Sequence, residues 1–247
     1  MIKRTNMMLA AIALIAGTAH ADGMADLRAA LAKFPARESL RATIAIESEN
    51  RGDDDEPAKL GRGSLDVEHG ADGVRMIYAP EVIARAQQER RANEIDPEKP
   101  EPTVSALREL DAIALIEALD VASVIARNLD SAKLEKDVRL PNGGKPIRQL
   151  TFSVKPRLSK SDAKRIKSAT GTLIINLGTD GIPISAEMSQ ALKAKFLLMS
   201  FEMKGQESWT FGRAGDHLVA ARHHKQQSGS GLGQSFSSSS TTTVVVR

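Results

Sequence analysis

The chain has no cysteine. Thiol catalysis and thiolate metal sites are excluded, and outside the cytoplasm the fold must rely on its core without disulfides. Aromatics are scarce, with one Trp, one Tyr and six Phe in 247 residues. No apolar run approaches the ~20 residues that a membrane-crossing helix needs. Charge of one sign is not in large excess either: 34 Lys and Arg face 31 Asp and Glu, for a net +3. Without Lys3 and Arg4 the count becomes 32 against 31, a net +1. That balance argues against a nucleic-acid partner.

The local patterns of catalysis are missing as well. There is no G-x-S-x-G, no H-E-x-x-H, and no local grouping of Ser, His and an acid. Gly229-Ser-Gly-Leu-Gly233 precedes neither a helix nor a charge cluster, so it makes no phosphate cradle. Asp53-Asp-Asp-Glu56 lacks the ligand spacing and the glycine of a calcium loop and reads as a solvated loop. In one strand His217 and His223 share a face and His224 opposes them. No third ligand is marked, so the three read as surface or edge-strand histidines. The sequence predicts neither an enzyme, nor a metal site, nor a cofactor.

What is present begins with an export signal. Lys3 and Arg4 precede Met7-Met-Leu-Ala-Ala-Ile-Ala-Leu-Ile-Ala-Gly17, and Ala19-His-Ala21 has the small-x-small form of a signal-peptidase site. Residues 1–21 are expected to be removed, leaving 22–247 as one domain in the periplasm. Asp26 is a candidate cap for a short helix carrying Leu27, Ala30, Leu31 and Phe34, which Pro35 ends.

Period two then takes over, with Leu40, Ala42, Ile44 and Ile46 on one face, followed by Leu65 and Val67, then Val74, Met76 and Tyr78. A helical insertion is expected over about 81–128. Its first part, to Ile95, is charged, and Asp96-Pro-Glu-Lys-Pro-Glu-Pro102 interrupts it. From Thr103 one long helix is predicted, with a stripe of Leu107, Leu110, Ala114, Ala118, Val121 and Ile125.

Strands resume after Lys133, and Leu150, Phe152 and Val154 alternate with Thr151 and Ser153. A short basic helix is expected over Lys160 to Lys167. Beyond it, Gly171-Thr-Leu-Ile-Ile-Asn-Leu-Gly-Thr-Asp-Gly-Ile-Pro183 reads as a hairpin with a two-residue Asp180-Gly181 turn. Pro183 places the start of the returning strand near an edge. Further strand-like runs are Lys195 to Lys204, Glu207 to Phe211 and Leu218 to Arg222. The Ser/Gly/Thr-rich tail from about 228 fits either a disordered tail or a last polar strand.

The pattern is an α+β domain: an antiparallel sheet with one apolar face, covered by helices. A soft aliphatic concave surface with methionines such as Met188, Met199 and Met203 suits acyl chains or an apolar segment of a partner. The same periodicity also fits a plain core.

Several stretches together resemble a known family. They are Asp26-Leu-Arg-Ala-Ala-Leu-Ala-Lys-Phe34, Ser39-Leu-Arg-Ala-Thr-Ile-Ala-Ile-Glu47, Gly61-Arg-Gly-Ser-Leu-Asp-Val67, Val74-Arg-Met-Ile-Tyr-Ala-Pro80 and the 171–183 hairpin. In this order they resemble the periplasmic lipoprotein-carrier family, the LolA/LolB-like superfamily. The resemblance implies an open, curved antiparallel half-barrel closed by helices around an apolar cavity. It further implies that an acyl chain or lipoprotein is the partner, that the protein is a monomer, and that contact with membranes is peripheral. Leu107, Leu110, Ala114, Val121, Ile125, Leu150, Phe152 and Met199 are then the candidate cavity residues. The alternative function on the same scaffold is an envelope protein-interaction or sensing module, without lipid transport.

Overall fold

The computed structural model describes residues 23–52, 57–70, 72–141, 147–155, 166–196, 199–231 and 234–247. The expected signal peptide, the acidic loop 53–56 and most of the expected basic helix lie outside the described residues. Ile166 and Lys167, assigned to that helix, instead begin a strand.

Helix α1 (Gly23–Leu31) leads into β1 (Leu40–Arg51), β2 (Lys59–Gly70) and β3 (Gly73–Ile77). Four helices follow: α2 (Pro80–Ile95), α3 (Pro102–Glu109), α4 (Ala112–Leu119) and α5 (Val121–Leu129). The chain then runs through β4 (Ala132–Leu140), β5 (Ile147–Val154), β6 (Ile166–Leu177), β7 (Pro183–Phe196), β8 (Met199–Ala214), β9 (His217–Gly231) and β10 (Gln234–Val246).

All ten strands form one open antiparallel sheet in the order β3-β2-β1-β10-β9-β8-β7-β6-β5-β4. The fold is therefore α+β, and its sheet is compatible with a half-barrel. Because β3 and β4 are the two edges, the helical segment between them must cross the sheet. It does so over the face that carries the core.

The Ser/Thr tail is a strand. β10 lies between β1 and β9, with Ala42 opposite Val246 and Thr243 opposite Arg222. Sheet pairing on both sides outweighs its low apolar content. Glycines help: a Cβ on Gly229 or Gly231 would meet the rings of Phe236 and Phe201, which lie over these positions. The edges are guarded. β3 has only five residues, and β4 carries Lys133, Glu135, Lys136, Asp137 and Arg139 with a bulge at Glu135.

Two core clusters pack between the sheet and the helices. One joins Leu27 and Leu31 of α1 and Ile125 of α5 to Leu150, Phe152, Leu173 and Ile175. The other joins Ala42, Ile44 and Ile46 to Ala106, Leu115 and Leu119. Helix α3 approaches β2 closely because Gly61 and Gly63 have no side chains; a Cβ at Gly63 would lie 3.0 Å from the Ala106 Cβ.

Several sequence expectations need correction. Asp26 is no cap, because α1 starts at Gly23; its carboxylate instead lies 2.7 Å from Arg148. The long helix from Thr103 is three short ones. Asp111 and Asp120 accept hydrogen bonds from the backbone N–H groups of Ala114 and Ser123, and so start α4 and α5 afresh.

The hairpin turn is longer than two residues. The Gly181 N–H donates to the Gly178 oxygen, and in this turn only Gly181 has a positive φ, of 77°. Pro183 opens an interior strand between β6 and β7's other neighbour, β8, and is tolerated as that strand's first residue. The Lys195–Lys204 run spans the end of β7 and the start of β8.

Arg148 holds α1 to the sheet. Its guanidinium bonds Asp137 of β4 at 2.6 and 2.8 Å and Asp26 of α1 at 2.7 Å. The hydrogen bonds it donates, to Asp137 first and Asp26 second, raise its pKa above the ordinary guanidinium value. Arg148→Met is expected to lower stability in urea by about 1–2 kcal/mol, the lower end of charge-assisted bonding because solvent screens the pair. No measurable loss would mean that α1 is docked by Leu27 and Leu31 alone.

Candidate functional site

Strand register brings chemistry-bearing residues from distant parts of the chain into shared rows. In one row Phe152 faces Leu173, which faces Met188, which faces Glu207. The row continues through Lys225 and Ser240 to Ser48. The next row runs from Leu150 through Ile175 and Ala186 to Trp209, then through His223 and Thr242 to Ile46. Directly opposed residues point to the same face. That face is therefore apolar over β5 to β7 and polar over β9 and β10.

A cavity of ≈ 480 Å³ lies between this face and helices α4 and α5. Leu110, Ala114, Leu115, Ala118, Val121 and Ile125 line its helical wall. Leu173, Ala186, Met188, Trp209 and Phe211 form the apolar part of its sheet wall, with Ile44 and Ile46 beside the polar strands. Glu207, His223, Lys225, Gln227, Ser238, Ser240 and Thr242 form the polar part, while Glu109 and Glu117 come from the helical side.

Of the residues singled out from sequence, Leu110, Ala114, Val121 and Ile125 line this cavity. Leu107 packs partly buried against the cluster over β1 and β2. Leu150 and Phe152 belong to the same rows but are fully buried in the core beneath α1 and α5. Met199 opens β8, opposite Phe196, at the start of the strand that carries Trp209. Trp209, His223 and Lys225 were not anticipated. The Trp209 signal was available, since Glu207 to Phe211 alternates, but its strand partners are far away in sequence.

The histidines lie on an interior strand rather than at an edge, so the edge-strand reading is corrected. An extra residue, Ala221, interrupts the pairing with β8 and breaks period two between His217 and His223. His223 stacks on Trp209, with ring centroids 4.7 Å apart, and its Nε2 lies 2.9 Å from Glu207. The His224 Nδ1 lies 2.9 Å from the Thr241 hydroxyl. His217 is buried, with Nε2 2.8 Å from the Glu38 carbonyl and Nδ1 3.3 Å from the Leu119 carbonyl. It ties the end of α4 to the segment before β1. Among the described residues no group of three or more His, Asp or Glu could hold a metal ion, and no helix is long and apolar enough to cross a membrane.

Compared with family models, with curated proteins and with solved structures, the chain matches none of them.

Beside His217, the His69 ring meets it edge-on at 5.3 Å, and the His69 Nδ1 is buried without a hydrogen-bond partner among the described residues. Burial first, and the His217 charge second, push the His69 pKa below its ordinary 6.5, against an opposing pull from Asp120. Protonation thus favours the unfolded chain. The stability that neutral His69 contributes is present above about pH 6.5 and declines as pH falls below it. In urea titrations the wild type should lose more of its midpoint between pH 7.5 and 5.5 than His69→Gln does. Parallel losses in the two proteins would show that His69 is solvated in the fold.

Proposed function

We propose that this chain is an exported lipid- or lipoprotein-binding protein of the outer-membrane lipoprotein-carrier type, and that it holds an acyl chain in the cavity beneath α4 and α5. The observation that carries this reading is the cavity itself. Its volume falls within the ~300–1,000 Å³ of small-molecule pockets. Its helical wall carries a stripe of aliphatic residues, and its sheet wall adds a methionine and an aromatic plane, which suits a flexible chain. The carrier-like order of the first helix and strands agrees with it, as does the amino-terminal export signal. Within this reading the protein acts in the periplasm as a monomer and touches membranes only peripherally.

A second reading keeps the scaffold but assigns it to binding an envelope protein. It is favoured by Ile113 and Ile116, three residues apart on α4, which are 67% and 39% exposed. Native mass spectrometry of protein purified from a membrane-containing host separates the two. A bound acyl species that dissociates on activation supports the carrier reading. An empty protein that retains a stable protein partner supports the other.

Ala114 lines the cavity from α4, where a larger side chain would project into it. Ala114→Phe is expected to weaken acyl-probe binding at least about tenfold, with a native circular dichroism spectrum. Destabilisation without any change in binding would mean that the chain does not use this space.

A further inference from the structure

The cavity is built unequally, and its polar end contains a cation that makes no ion pair among the described residues. Lys225 lines the cavity and is half-buried. Its cross-strand neighbour in β8 is Glu207, the natural partner for an ion pair. The Glu207 carboxylate, however, turns one oxygen, Oε2, to His223 at 2.9 Å and makes no ion pair with Lys225. Lys225 is left with no ion pair and no side-chain hydrogen bond among the described residues.

The residues around it are donors in the same state. Ser240 stands directly opposite Lys225 on β10, Thr242 lies one row along, and Gln227 pairs with Ser238 one row the other way. None of these side chains has a hydrogen-bond partner among the described residues. Half-buried polar groups that make no bond within the protein are open to water or to a ligand. An ammonium without an ion pair, set among hydroxyl and amide donors with Glu207 as the one sheet-side carboxylate in the cavity lining, is chemically suited to an anion.

We propose that this polar end is a head-group site for a single-chain amphiphile with an anionic head, a carboxylate or a phosphate, and that Lys225 is its counter-ion. The inference rests on the acyl-binding reading and specifies the ligand class for the same cavity. The acyl chain lies against Met188, Leu173 and the helical wall, and the head lies over β9 and β10. The carboxylates of Glu109 and Glu117 are on the helical side of the cavity; Glu117 pairs with Arg127 at 3.5 Å, and Glu109 accepts from the Asn50 amide at 3.4 Å. They keep an anionic head against the sheet and away from the helices.

The test is a calorimetric titration of the mature protein with four probes of one chain length: dodecanoate, dodecyl phosphate, dodecanol and dodecylammonium. At least one of the two anions should bind about tenfold or more tightly than dodecanol, the scale of a charge-assisted contact, and the better one identifies the head. Dodecylammonium should gain nothing over dodecanol. Lys225→Met should remove the preference for the anions over dodecanol, while Lys225→Arg retains it. Equal binding of the anions and the alcohol overturns the head-group site and leaves the acyl reading standing. So does tighter binding of the ammonium probe, or an anion preference that survives Lys225→Met. If no probe binds, the acyl reading fails and this inference fails with it.

Discussion

A chain ending at Gly231 is expected to lose cooperative unfolding. The missing β10 makes ten register pairs with β1 and ten with β9, and it is the sheet connection between β1–β3 and β4–β9. At a net ~0.5–1.5 kcal/mol per hydrogen bond, such a loss exceeds the ~5–15 kcal/mol that stabilises a typical domain. It would also expose the edges of β1 and β9 and remove Val244, leaving Ile44 and Ala42, with which it packs, uncovered. Thermal melts of the truncated protein should show a broad transition or none. A melt unchanged from wild type would mean that the tail is dispensable and the sheet closes without it.

Phe152→Ala should destabilise the protein by about 3–5 kcal/mol, the range for a fully buried aromatic ring. The ring is 0% exposed and lies in the cluster that joins α1 and α5 to the sheet. Its cross-strand neighbours are Leu134 and Leu173, neither of which is large enough to fill the space it leaves. Urea denaturation measures the change. A loss under about 1 kcal/mol would place Phe152 outside the packed core.

Much of the sheet was legible from alternation. Leu40, Ala42, Ile44 and Ile46 are all buried, as are Leu65 and Val67, because one face of each strand meets helices. Helix boundaries were harder to read. The apolar stripe from Leu107 to Ile125 continues through Asp111 and Asp120, and only their capping bonds reveal the breaks. The tail was ambiguous because its composition says disorder, whereas its strand form depends on neighbours nearly two hundred residues away. His217 was misplaced for a related reason: the bulge at Ala221 is invisible to a period-two reading.

The site was legible only on its helical side. Leu110, Ala114, Val121 and Ile125 could be found because four cavity residues follow a helical period within one stretch of chain. The sheet side comes from six strands, and the row linking Met188, Glu207, Lys225 and Ser240 exists only through register. No local pattern marks Lys225, since its lack of an ion pair depends on where Glu207 turns.

Trp209 is the chain's single tryptophan and lines the cavity, so its fluorescence reports occupancy directly. The decisive measurement is quenching of Trp209 by a fatty acid carrying a nitroxide on its chain. The account predicts saturable quenching with a stoichiometry near one, reversed by an unlabelled fatty acid and weakened in Ala114→Phe, which keeps Trp209 as the only reporter. Quenching that rises linearly with probe, is not displaced, and is the same in Ala114→Phe would contradict an acyl chain in this cavity.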